Sequence, residues 1–468
     1  MNRSDPRPHL ASHTDSTAET QLLRPVLHWN PGMLVPILIL GSIVLVGAYA
    51  YFLQLRDGLS VTGMRDTVSW GLYITNFVFF IGISHVGALL SSILRLTGAG
   101  WRHPITRMAE AITFSALLFG ALMPLVDLGR PERALNLLLH GRIQSPILWD
   151  IVSITTYLAG STLFLYLPLI PDLALLRDRS QQLPGWRRWI YRVLSIGWSG
   201  SASQHARLER AMGVMAVLIL PIAIMVHTVV SWIFAMTLRP GWNSTIFGPY
   251  FVAGALASGA AAVVIAMAVF RRIYHLERWI TVEHFRKMAA LVLVLDLVYL
   301  YFNLSEYATT AYKMELSEKA LLLELFRGPL APLFWFTQVF GLIVPALLLV
   351  LPPLLPALRR RWILCSVMAS ALIVIQAWLK RFIIVVPVLE HPNLPVHDPA
   401  SVVGIYQPTW VEWSITAGAI AGFVLVYYLF SRFFPIVSVW ETEKAERAEV
   451  PEGQALRPRL SPAGEVAS

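Results

Sequence analysis

Two acids, two imidazoles, an amide and a guanidinium stand in or at the ends of otherwise apolar stretches of this 468-residue chain: Asp127 and Asp150, His85 and His227, Asn76 and Arg381. A neutral imidazole, or a carboxylate removed from water, can act as a base near neutral pH, while an amide and a guanidinium donate hydrogen bonds to carbonyl oxygens. Together they can hold a redox-active ring by its carbonyl oxygens and handle its protons. Each also has a plainer reading. Either histidine can bond a helix carbonyl, Asp127 can accept bonds within the turn DLGRPER, and Asp150 suits the first turn of a helix because of the macrodipole. Glu110 and Asp296 form a second, smaller group; they either pair locally, with Arg107 or a helix backbone, or mark a wet proton path. Lys380 precedes Arg381, and adjacent helix residues point about 100° apart. Arg381 is therefore expected to face inward while Lys380 snorkels to the interface.

The elements that must position these groups are apolar runs long enough to cross a bilayer, which takes about 20 helical residues. Ten are expected: Met33–Leu55, Val68–Leu94, Ile105–Val126, Ile147–Leu169, Ala211–Met236, Phe247–Phe270, Met288–Ala308, Ala331–Leu354, Trp362–Val388 and Val411–Phe434. The composition agrees, with 56% hydrophobic and only 14% charged residues. The fold class is thus an all-α integral membrane protein, with polar tails at 1–32 and 435–468 around a membrane domain at 33–434. The first tail lacks the apolar core of a secretory signal and reads as a loose cytoplasmic segment, and the acidic second tail reads as solvated.

A formal charge of +9 raises nucleic acid as a partner, but most Lys and Arg flank the apolar runs, so topology explains them and no nucleic acid is expected. Alternate loops are heavily basic, as at Arg95 and Arg102, Arg187 and Arg188, Arg271 and Arg272, and Arg359 to Arg361. Keeping these loops inside puts both termini in the cytoplasm and the protein in the inner membrane. On that orientation the six polar residues fall in the outer half of the membrane. A lone cysteine, Cys365, allows no internal disulfide and no cysteine-ligated cluster, so an iron–sulfur centre must lie on a partner. No P-loop, G-x-S-x-G or H-E-x-x-H string is present.

The strings TNFVFFIGISHVGALLSSILRL, RMAEAITFSALLFGALMPLVDLGRPER and SPILWDIVSITTYLAGS resemble the NrfD/PsrC family of quinone-interacting membrane subunits. PGWNSTIFGPYFVAGALASG, LSIGWSGSASQHARLERAM and LKRFIIVVPVL look most like the ten-helix NrfD-like subunit of alternative complex III. The resemblance implies two four-helix bundles forming an internal repeat, at about 68–236 and 247–388, with one flanking helix at each end. It implies a quinone or menaquinol pocket at the outer face of the first bundle and no haem in this chain. The implied partners are an extracytoplasmic ferredoxin-type iron–sulfur subunit, molybdopterin-family-like or multihaem cytochrome subunits, and a second NrfD-like subunit. Asn76 and His85 match the family's polar positions, and Asp150 matches the acid proposed at its quinone pocket. In two places the chain departs from alternative complex III, which tends to have His in place of Asp127 and an acid in place of Lys380.

The expected function is therefore that of a respiratory quinone oxidoreductase subunit, inert alone. His85 or Asp127 would bond a quinol hydroxyl, Asp150 would accept a proton, and Asn76, His227 and Arg381 would complete the pocket. Two alternatives stand beside it: a haem b cytochrome with His85 and His227 as axial ligands, and a secondary transporter.

Overall fold

The computed structural model describes residues 17–179, 183–391 and 406–449. Its helices are α1 (Thr17–Leu27), α2 (Leu34–Asp57), α3 (Leu72–Leu96), α4 (His103–Asp127), α5 (Leu135–Leu139), α6 (Pro146–Tyr166), α7 (Ile170–Arg179), α8 (Gly185–Leu194), α9 (Ala202–Ala235), α10 (Phe247–Ile273), α11 (Val282–Lys313), α12 (Leu316–Arg327), α13 (Ala331–Gln338), α14 (Val344–Leu354), α15 (Pro356–Arg359), α16 (Trp362–Glu390), α17 (Trp410–Phe433) and α18 (Val439–Glu449). No strand occurs among the described residues, and ten helical stretches are long and apolar enough to cross a membrane. They coincide with the ten expected runs.

Differences at the ends have local causes. The fifth crossing, α9, starts nine residues before its apolar run because Ser201 and Gln204 form a capping box that launches the polar turn SQHARLER as helix. The eighth is interrupted between α13 and α14 by a π-helical segment, Val339–Ile343. There Gly341 lies so close to α16 that a Cβ would stand 2.1 Å from Cγ of Gln376.

Burial separates the helices by position. The most apolar window of α3 is 89% buried, whereas that of the stretch containing α2 is 11% buried. So α3 is a central post, packed on α4, α9, α10 and α16, while α2 lies on the rim against α17. α2 and α17 meet at Gly47 and Gly418, where a Cβ on Gly47 would stand 2.9 Å from the Gly418 Cα. Small residues are what allow backbones this close. Elsewhere α6 packs on α9, and α10 packs on α11 and α16.

Two expectations for the tails need correction. Residues 17–27 form a helix whose Leu22, Leu23 and Val26 are buried, because their 3–4 residue spacing gives one apolar face. In the acidic tail, α18 is docked: Glu441 is 4% exposed and meets Arg95 at 2.9 Å, Arg102 at 3.5 Å and His103 at 3.7 Å. The basic ends of α3 and α4 supply the partners that a solvated tail would lack. Residues 1–16 and 450–468 of those tails lie outside the described residues.

Burial disfavours the Glu441 carboxylate, but His103, Arg102 and Arg95 outweigh it and hold the carboxyl well below the usual carboxylate range. A depressed folded-state value gives stabilisation that is full above the unfolded value of about 4.3 and lost as pH falls through the folded one. Protease protection of α18 is therefore expected to be the same at about pH 7 and pH 5. Glu441→Gln should expose it already at neutral pH, and equal protection of that variant would show that the clamp contributes nothing.

Candidate functional site

His85 is fully buried on α3, with Nδ1 2.6 Å from the Ile81 carbonyl and Nε2 2.8 Å from the Ala223 carbonyl of α9. The plainer reading of this histidine is the one realised: it ties two helices together. At the adjacent residue, the Tyr157 hydroxyl of α6 donates to the Ser84 carbonyl at 2.9 Å. His227 stands edge-on to His85, with ring centroids 4.5 Å apart, and neither of its nitrogens makes a well-formed hydrogen bond.

Arg381 reaches this group because α3 and α10 present glycines to it. Its Nη2 lies 3.4 Å from where a Cβ on Gly82 would be, and 3.2 Å from the equivalent point on Gly254. The His227 Cε1 is 3.9 Å from the Gly82 point, so the three side chains share one neighbourhood. Arg381 is 3% exposed, as expected for the inward-facing member of the Lys–Arg pair, and its Nη1 has no partner. His85→Ala should lower stability by about 2–4 kcal/mol, from the lost hydrogen bond of the ring N–H and the cavity left between α3 and α9. Thermal unfolding of the purified chain would measure it, and an unchanged midpoint would remove the tie.

The other three residues lie at a different level. Asn76 is nine residues before His85, about 13 Å along α3. Its amide is engaged, donating to Thr416 Oγ1 of α17 at 2.9 Å and accepting from Trp378 Nε1 of α16 at 2.8 Å. Asp127 ends α4 beside Val126, whose carbonyl accepts from Gln54 Nε2 at 2.7 Å, and Gln54 in turn accepts from the Tyr73 hydroxyl. Tyr73 is twelve residues from His85, about 18 Å along the same helix. Asp150 is seven residues before Tyr157 on α6, hence about 10 Å from the histidine level. A single pocket holding all six is thus corrected to two levels: His85, His227 and Arg381 deep, and Asn76, Asp127 and Asp150 toward one end. No hydrogen bond or ion pair joins these two sets of side chains.

Asp127 and Asp150 share with His227 a property that His85 lacks. Oδ1 of each aspartate is buried and has no hydrogen-bond partner. Asp127 ends α4 and Asp150 lies near the start of α6, the next membrane-length helix, so both stand at the same end of the molecule. In the segment linking α4 to α6, Leu138, Leu139 and Ile143 are 59%, 73% and 80% exposed.

Of the second group, Glu110 accepts from Ser91 Oγ at 2.5 Å. Arg107 is taken up instead by Asp172 of α7. Asp296 is fully buried on α11, with both oxygens unpartnered.

Sequence reasoning missed a further network at the Asp127 end, between α10, α11 and α16. Lys380 does not snorkel: it is 1% exposed, donates to the Tyr307 hydroxyl and lies 4.3 Å from that ring's centroid. Glu306 accepts from Ser244 at 2.8 Å, and the Tyr250 hydroxyl donates to Asn303 at 2.8 Å. These groups border or adjoin a small cavity of about 40 Å³ walled by Trp242, Phe247 and Leu321. The signal was present in the sequence: Tyr299, Asn303, Glu306 and Thr310 recur at helical spacing, and all four are buried. Tyr307→Phe would leave the Lys380 ammonium without its oxygen acceptor and is expected to cost about 1–3 kcal/mol in a melting measurement.

A bis-histidine haem does not fit. The porphyrin plane would have to pass between two rings already in contact, one of which has both nitrogens on backbone carbonyls. Nor does any group of three or more His, Cys, Asp or Glu side chains suited to a metal occur among the described residues.

Residues 60–392 match the family model described as polysulphide reductase, NrfD. The chain belongs to the NrfD family. The NrfD match contains all eight residues singled out from the sequence and the Lys380 network, and leaves out α2, α17 and α18. A putative membrane subunit of a dimethyl sulfoxide reductase from Halobacterium salinarum is 29% identical over 422 residues, covering 86% of this chain and 90% of the relative. A selenate reductase subunit from Mesobacillus selenatarsenatis is 25% identical over 418 residues, 87% of this chain and 94% of the relative. The integral membrane subunit of a menaquinone reductase from Nitratidesulfovibrio vulgaris is 25% identical over 401 residues, 83% and 88%. With ten membrane-length helices, this NrfD protein is a multi-pass membrane subunit.

Proposed function

We propose that this chain is the quinone-reactive membrane subunit of an oxidoreductase complex, exchanging electrons between the membrane quinone pool and an iron–sulfur partner outside the cytoplasm. The relatives' names support a reductase complex with a quinone connection, and the basic loops support an inner-membrane orientation with both termini in the cytoplasm. In this reading α3, α4, α6 and α9 form one bundle and α10, α11, α13–α14 and α16 the other. The catalytic partner is of molybdopterin or multihaem type, and a second member of this family can accompany it.

The observation that carries the reading is the pair of unpartnered buried oxygens on Asp127 and Asp150. Oxidising a quinol to a quinone releases two protons and two electrons; the electrons pass to the partner, and the protons need acceptors at the ring oxygens. A carboxylate without a hydrogen-bond donor of its own is free to take such a proton. The exposed apolar side chains of the segment between them offer a lipid-soluble ring an apolar approach. His85, with both nitrogens committed, acts as a positioning residue that holds α3 on α9; His227 and Arg381 lie behind it, and Asn76 fixes α3 against α16 and α17. Glu110 and Asp296 are the groups through which protons would communicate with the opposite face. The departures at Asp127 and Lys380 weigh against narrowing the complex to alternative complex III.

Labelling the assembled complex with an azidoquinone and sequencing the modified peptides tests the location. Adducts between Leu125 and Ile154 are expected. Adducts confined to α11, α12 and α16 would move the site to the Lys380 cavity.

A further inference from the structure

At the end of the molecule opposite Asp127, α1, α10 and α17 border an open cavity of about 300 Å³ whose lining includes Arg24, His28, His275 and Arg432 and, among the described residues, no acid. Arg432 is 1% exposed, yet its Nε and Nη1 have no hydrogen-bond partner, and only Nη2 finds a carbonyl, that of His28 at 2.9 Å. Its guanidinium lies between Trp29 and Tyr274, 5.6 Å and 5.8 Å from their ring centroids. Among the described residues no carboxylate lies within 4.0 Å of it. A buried guanidinium lacking a counter-ion is costly, and a neighbouring basic cavity shows one remedy, Glu441 against Arg95 and Arg102. The Arg432 cavity has no such acid in its wall.

We propose that this cavity binds a phosphate group, with Arg432 as its buried floor and Arg24, His28 and His275 as its rim. Guanidinium donors match phosphate oxygens in geometry and charge, and a negative group here would neutralise a fixed cation that the surrounding helices leave uncompensated. The cavity's lining residues Met33, Ile273 and Arg432 stand at the ends of membrane-length helices. Exposed Leu34, Val35 and Leu38 on α2 and Ile273 on α10 flank it, so a phosphodiester headgroup can occupy the cavity while its acyl chains follow the apolar face of α2. The same donors would take free phosphate, and the test separates the two sources.

The full-length chain, purified in detergent, is to be incubated with phosphatidylglycerol, with phosphatidylcholine, or with inorganic phosphate alone. Bound lipid is read by native mass spectrometry and stability by thermal unfolding. Retention of phosphatidylglycerol over phosphatidylcholine is expected, weakened about tenfold in Arg432→Gln and in the rim pair Arg24→Gln/His275→Gln. The exposed rim pair keeps the test meaningful if Arg432→Gln does not fold. A raised melting midpoint with inorganic phosphate, absent from the rim variant, would assign the site to free phosphate. Equal retention of both lipids with no effect of phosphate overturns the proposal, as does wild-type binding by the rim pair.

Discussion

Asp150→Asn is expected to reduce quinol-dependent electron transfer by the assembled complex about a hundredfold or more, with the complex recovered in unchanged yield. The amide keeps the size of the side chain and one acceptor oxygen but cannot take a proton. Because that proton moves as the reaction proceeds, the loss should fall on kcat and much less on KM. Asp127→Asn should behave alike, since its Oδ1 is equally buried and unpartnered at the same end. Lys380→Met provides the contrast: it alters the other cavity and should leave turnover within about twofold, after correction for folded protein. If Lys380→Met abolishes turnover while both aspartate variants work normally, the ring binds between α10, α11 and α16.

The largest effect on stability is expected at Asp172. Arg107 and Asp172 form an ion pair in which each side chain is 1% exposed. Arg107 also donates to the Pro168 carbonyl at 2.7 Å, the Ser438 hydroxyl at 3.0 Å and the Pro435 carbonyl at 3.2 Å. Asp172 in turn accepts the backbone N–H groups of Val439 and Trp440, each at 3.1 Å. Removing one partner leaves a buried charge alone, so Asp172→Ala should cost about 3–5 kcal/mol and free the segment leading into α18. A lowered unfolding midpoint and new protease cleavage near residue 438 are the readouts. Arg107→Met/Asp172→Leu should recover most of the stability, because an apolar pair carries no such penalty. If the double variant is as unstable as the single one, the hydrogen bonds to 435–440 matter more than the charge balance.

The sequence made the ten crossings legible because each needs a run of apolar residues that few soluble segments contain. The burial of Arg381 was expected, but not for the reason that only one member of the Lys–Arg pair faces inward, since Lys380 is buried as well. What the sequence did not reveal is which polar groups are already satisfied by backbone. His85 and Asn76 look alike as intramembrane polar residues to Asp127 and Asp150. Only the tertiary arrangement brings the Ala223 carbonyl to the imidazole, and Thr416 and Trp378 to the amide. Lys380 was misjudged for the converse reason. Its long stem allowed an interfacial position, and the aromatic cage that holds it comes from α10 and α11, more than seventy residues away. The tails were misread because composition says nothing about partners: Glu441 belongs to an acidic string, but its three basic neighbours lie on the third and fourth helices.

The seam between α2 and α17 joins the first membrane-length helix to the last. Besides Gly47 against Gly418, the Gly63 amide bonds Glu412 at 2.6 Å and the Leu72 amide bonds the Tyr406 hydroxyl at 3.0 Å. During synthesis, then, nine helices enter the bilayer while a polar notch before α3 stays open, and only the final segment seals it. A chain that stops short of residue 406 therefore lacks the Tyr406 and Glu412 acceptors, and the Leu72 and Gly63 amides lose the partners that the complete chain gives them.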